Sequence, residues 1–182
     1  DVDISGSSGI LELHLKTNGT YAGVASGNGQ LKKSGTATLT LDGLNTYTGG
    51  TSISEGILIG KWTAGNVSTL GTGGVTVSSG AKLELNNAAT ETFDQRIEGA
   101  GGVSKSGTGE LTLSSGSNSY SGGIEIDGGR LRGTTSSIPG AITFNAKSRV
   151  TFEQTFDGTH AGAIVDLKGG AGGGAVHIHS PG

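Results

Sequence analysis

The chain has 182 residues, 37 of them glycine, with 32% apolar, 4% aromatic and 15% charged side chains, a formal net charge of -3, and no cysteine or methionine. That composition excludes a disulfide framework and a thiolate metal site, and leaves too little apolar volume for a thick two-layer core. The slight acidity, with Lys32-Lys33 and the Arg130/Arg132 pair as the main basic features, argues against nucleic acid or an anionic membrane as partner.

Low charge and short alternating apolar runs separate the sequence from a disordered polymer. No apolar run is long enough to span a bilayer, so direct membrane insertion of this segment is not expected. The sequence opens at Asp1 with no signal peptide, which reads as a processed mature protein or a fragment of a longer one.

In chain order, residues 8–23 show strand-like alternation without matching a later segment convincingly. Residues 27–60 contain Leu39-Thr40-Leu41, then Ile53 and Leu58, between glycine-rich breaks. Residues 61–66 depart from this grammar and hold the single tryptophan. Strands are expected at Val75-Thr76-Val77, Leu83-Glu84-Leu85 and Ile97, and residues 99–133 then repeat 27–60. Leu31 matches Val103, Lys33 matches Lys105, Leu39 and Leu41 match Leu111 and Leu113, and Tyr47 matches Tyr120. Residues 139–152 resemble 73–85, and a third copy begins near residue 171 with Val176 and Ile178 in the two leucine positions.

An offset of 72 to 73 residues suggests three coils of about 24 residues each. Period-two alternation predicts half-buried strands and essentially no helix, with Gly-Gly, Ser-Gly, Asn-Gly and Asp-Gly pairs at the corners. A β-sandwich would share the alternation but has no reason to reuse one unit at a fixed interval. The repeat therefore favours one all-β domain over 1–182, a parallel β-helix (β-solenoid) of seven or eight coils and about 35 Å.

Residues 34–60, and Asn45 to Thr51 in particular, resemble the autotransporter-associated β-strand repeat. The second copy keeps Asn118, Tyr120, Gly122 and Gly123 but loses the threonines. The resemblance implies a right-handed parallel β-helix within a longer autotransporter passenger region, extracellular at the bacterial surface or secreted. It further implies an adhesive role toward a host glycan or matrix protein. The alternative is self-association with another copy into a fibre, aggregate or biofilm matrix, and a polysaccharide-active enzyme is a more distant reading.

Asn45 and Asn118 are expected to line turns, Tyr47 and Tyr120 to pack over corners, and Gly49-Gly50 and Gly122-Gly123 to let the chain bend. For binding, Lys61, Trp62 and Asn66 are the candidates, since a tryptophan beside a lysine can anchor a sugar or a protein surface. His177 and His179 share one strand face but lack further ligands in sequence, and no metal, cofactor or catalytic set is expected.

Overall fold

The computed structural model describes residues 1–6, 9–62, 69–154, 158–167 and 173–179. Among these residues there is no helix, only 21 strands of two to six residues. Every pairing is parallel, as in Leu39↔Leu58 and Leu83↔Val103, so the chain winds as a β-solenoid.

Three ladders run along it. The first side has six strands, from Ile10–His14 to Ser119–Tyr120, and the second has eight, from Gly19–Tyr21 to Ile164–Asp166. One second-side strand per coil gives about eight turns. The third side begins with Val2–Asp3 on Ala25–Ser26, continues through segments bonded above them (Thr46 N–H to Ala25 O, Thr72 N–H to Tyr47 O), and ends in five strands from Glu91–Phe93 to Ala175–His179.

Alternation decides what fills the interior. On the second side Leu39, Leu58, Leu83, Val103, Ile124 and Ile142 stack in one column, each buried between its neighbours. Leu111, Leu131 and Val150 do the same on the third side. Each such side chain contributes roughly 1.5–3 kcal/mol on burial, so a core one residue thick suffices when it is continuous.

Coil length is not the constant third of a repeat unit that the sequence suggested. Gly19 is overlaid by Leu39, Ile124 by Ile142 and Val150 by Val176, so turns vary in length and most are shorter than expected. From Leu31 the first-side column passes through Thr51 and Val75 to Ile97, three turns on, and a short corner then carries the chain to Val103 on the second side. The repeat unit therefore spans three and a third turns, and its second copy is rotated by one side of the prism.

The opening residues obey the same rotation. Leu11-Glu12-Leu13 pairs with the strand of Leu31 on the first side, and Leu83-Glu84-Leu85 pairs with that of Val103 on the second. They thus belong to the repeat, a relation their divergent flanks concealed.

The rotation also explains the two lysines shared by the copies. Lys33 stands in the inward column Leu13–Lys33–Ile53, and Lys105 in Leu85–Lys105–Ile126; both are fully buried. The Lys33 ammonium donates to the carbonyls of Ser34, Gly35 and Glu55, and that of Lys105 to Ser106, Gly107 and Gly128. Each ammonium thus uses three donors on corner carbonyls of two successive turns.

Burial lowers the pKa of both lysines, that of Lys105 to about 8 from 10.5, and raises that of Tyr47 and Tyr120. Between these two values for Lys105 the unfolded chain holds a proton that the folded chain has lost, so stability rises as pH increases from about 8. Above the ordinary tyrosine value the buried phenols reverse the trend, because only unfolded tyrosine then ionises. Urea unfolding at stepped pH should show a midpoint that climbs from pH 8 toward 10 and then falls. In Lys105→Met the climb should shrink, and an unchanged climb would show that other groups cause it.

Candidate functional site

The Asn-x-Tyr-x-Gly-Gly motif sits where each unit closes on itself. In the first copy the strands Gln30–Ser34 and Thr38–Leu41 are overlaid one turn later by Thr51–Ile53 and Ile57–Trp62, with the motif between the two layers. Asn45 is buried and reaches both ways along the axis. Its Oδ1 accepts from Ala25 N–H (2.7 Å) in the turn before, and its Nδ2 donates to Thr69 O (2.6 Å) in the turn after. Asn118 repeats the bridge, accepting from Ile97 N–H and donating to Ser137 O, both at 2.8 Å. Each asparagine therefore links three turns rather than only lining one.

Tyr47 and Tyr120 are fully buried core residues. The Tyr47 hydroxyl lies 2.6 Å from Thr51 Oγ1, whereas the Tyr120 hydroxyl has no partner. The cause is one substitution between copies: Ile124 stands where the first copy has Thr51.

The glycine pair is caught between turns. A Cβ on Gly49 would lie 2.5 Å from Gly29 O, and one on Gly122 2.5 Å from Gly101 O, in the preceding turn. Gly50 and Gly123 take φ of 87° and 77°, open to glycine at little cost, with the following turn's carbonyl below 3 Å from any added Cβ.

Trp62 is 4% exposed and packs edge-on against Phe93, ring centroids 5.9 Å apart. The indole thus caps the core instead of standing clear of the surface, because the alternation of the strand Ile57–Trp62 brings it to an inward position. Its edge borders an open cleft of about 320 Å³ lined by Thr72, Thr92, Phe93, Asp94 and Gln95. Gln95 donates to Gly71 O, and its own carbonyl oxygen is buried without a partner. Lys61 is partly exposed and 3.5 Å from Asp42. Asn66 lies outside the described residues.

His177 and His179 are exposed and face Thr151 and Glu153 in register. Glu153 is an acid beside His179 that the sequence did not place there, but its carboxylate pairs with Arg132, which also holds Glu110 at 2.9 Å. No group of three or more His, Asp or Glu able to hold a metal occurs among the described residues. The carboxylates of Glu125 and Asp127 both accept from the Asn145 amide on an open strand face. Val176 and Ile178 stack in the columns of Leu111 and Leu113, at the end of the described ladder.

Lys33, Lys105 and the charged diagonal Glu110–Arg132–Glu153 were not expected to act. The lysines were visible as a matched pair, each two residues after the apolar Leu31 or Val103. The charged diagonal was not visible, since its members become neighbours only when three strands stack.

The two tyrosines provide a matched test of this site. Tyr47→Phe should cost about 1 kcal/mol, the value of a buried hydrogen bond, while Tyr120→Phe should be neutral or stabilising because its hydroxyl is already unpaired. Asn45→Ala leaves two buried backbone groups open and should cost about 2–4 kcal/mol. Denaturant titrations of the three variants check the order; equal losses at the two tyrosines would contradict it.

Comparison with known proteins accords with this geometry. The family model described as passenger-associated-transport-repeat matches residues 31–59 and 103–132, the two self-closing units. The chain is 35% identical over 158 residues to the adhesin BmaC autotransporter of Brucella suis biovar 1 (strain 1330), covering 78% of this chain and 4% of that protein. No solved structure matches significantly. With two such repeats on a parallel solenoid, the chain has the make-up of autotransporter passenger sequence, which is extracellular, at the cell surface or secreted.

Proposed function

We propose that this passenger segment is a non-catalytic adhesive module that holds contact residues on a rigid shaft and meets a host glycan or matrix protein. The observation that carries the reading is the similarity, over most of the chain, to an autotransporter whose name is that of an adhesin. The fold supports it: inward positions and corners are committed to stacking, and the outward strand positions remain free for contact. The cleft beside Trp62 offers an aromatic edge with amide, hydroxyl and carboxylate groups, a chemistry suited to sugar hydroxyls. Many weak contacts along one rod would add through effective concentration.

Self-association is the second reading, favoured by the apolar side chains Ile164, Leu167 and Ile178, which are 46%, 65% and 76% exposed. A second copy laid over them would bury them.

The purified chain should be retained on matrix-coated or host-cell surfaces above an unrelated solenoid of equal size. Asp94→Ala with Thr92→Ala, which spares the core, should lower retention several-fold. Absence of retention sinks adhesion by this segment, and concentration-dependent growth in light scattering without retention favours assembly.

A further inference from the structure

In its last turns the outward face of the third side is net basic, although the chain is net acidic. Arg130 and Arg132 there lie beside Lys147 and Arg149 of the next segment, against the carboxylates of Glu110 and Glu153. Arg132 is neutralised by those two acids. The other three cations border an open cleft of about 320 Å³ whose floor is Gly129, Ser148 and Gly173.

Two of the three, Lys147 and Arg149, have no ion-pair partner among the described residues, and Arg130 reaches Glu110 only at 4.0 Å. Nearby Asp166 accepts the Gly174 amide. Arg130 and Arg149 are moreover direct register partners on adjacent parallel strands, about 4.8 Å apart, a placement of like charges that costs stability. A fold that needed only to stack would gain from a neutral residue at either position. The first copy has Ile57 where the second has Arg130, so the position itself does not demand a cation.

We propose that this cleft binds an anionic polysaccharide, its sulfate or carboxylate groups bridging Arg130, Arg149 and Lys147. The inference rests on the adhesive reading and names a ligand class and a site distinct from the Trp62 cleft. A guanidinium pair of fixed spacing suits regularly spaced acidic groups on a sugar chain, through charge-assisted bonds. Among the described residues the lining of the cleft holds no aromatic side chain, the stacking platform by which single-stranded nucleic acids are held.

The experiment uses the whole chain and four probes in titration calorimetry: a heparin oligosaccharide, an oligogalacturonate, dextran and a single-stranded oligodeoxynucleotide. Binding to one or both acidic glycans, none to dextran, and a log–log salt slope of about 2 to 3 from three cations are expected. The two acidic glycans separate sulfate from carboxylate as the preferred group. Arg130→Gln, Lys147→Gln and Arg149→Gln together should weaken binding at least tenfold without lowering the melting temperature, since a like-charge contact is removed. Lys16→Gln, Lys32→Gln and Arg96→Gln together, on other parts of the surface, should leave it unchanged. No glycan binding, equal loss in both triple variants, or tighter binding of the oligonucleotide would overturn the proposal. Retention on matrix is scored separately: glycan binding without retention removes the adhesive reading and keeps the site, whereas retention that survives the cleft triple without glycan binding removes the site alone.

Discussion

Parallel stacking places a neighbouring turn about 4.8 Å above and below nearly every backbone segment, and the rest of the structure answers to that spacing. Strand backbones satisfy one another through the ladder, but corners leave carbonyls and amides pointing at adjacent turns with no ladder to receive them. Asn45 and Asn118 supply one donor and one acceptor along the axis, and Lys33 and Lys105 supply three donors to corner carbonyls. Glycine pairs complete the solution by letting backbones approach where any Cβ would collide.

The same spacing explains what could be read from sequence. Alternation, turn pairs and a recurring unit were enough for an all-β parallel solenoid, because each reports a local requirement. The length of a turn was not legible. A corner can be tight or wide without disturbing the strand pattern, as the short step from Ile124 to Ile142 and the long one from Val150 to Val176 show, so the unit does not divide into whole turns. Only the columns reveal that Leu31 and its counterpart Val103 lie on different sides. The rotation also places Gly60 on the second side and its counterpart Gly133 on the third.

The site residues divide along the same line. Asn45, Tyr47, Gly49, Gly50 and their counterparts were visible because two copies preserve them for one stacking task. Trp62 was legible as unusual but not as inward-facing, since its segment departs from the repeat pattern and only the structure shows the strand from Ile57 continuing to it in alternation. Arg130 was visible only as half of a basic pair with Arg132, and Arg149 gave no signal. They occupy different places in the repeat pattern and meet only because the chain between them closes one turn in full register.

Comparison of the two copies indicates where function can be written on such a fold. The inward residues Leu39, Leu41, Leu58 and Gly60 recur as Leu111, Leu113, Leu131 and Gly133. At the alternate, outward positions Thr38 becomes Glu110, and Ile57 and Ile59 become Arg130 and Arg132. Stacking penalises a change inside, where one threonine replaced by Ile124 already strands the Tyr120 hydroxyl. Outside, an isoleucine pair can become an arginine pair while the column behind it stays intact. Recognition on this shaft is therefore a property of the individual copy and its neighbours in register, while the repeat that identifies the family specifies only the scaffold.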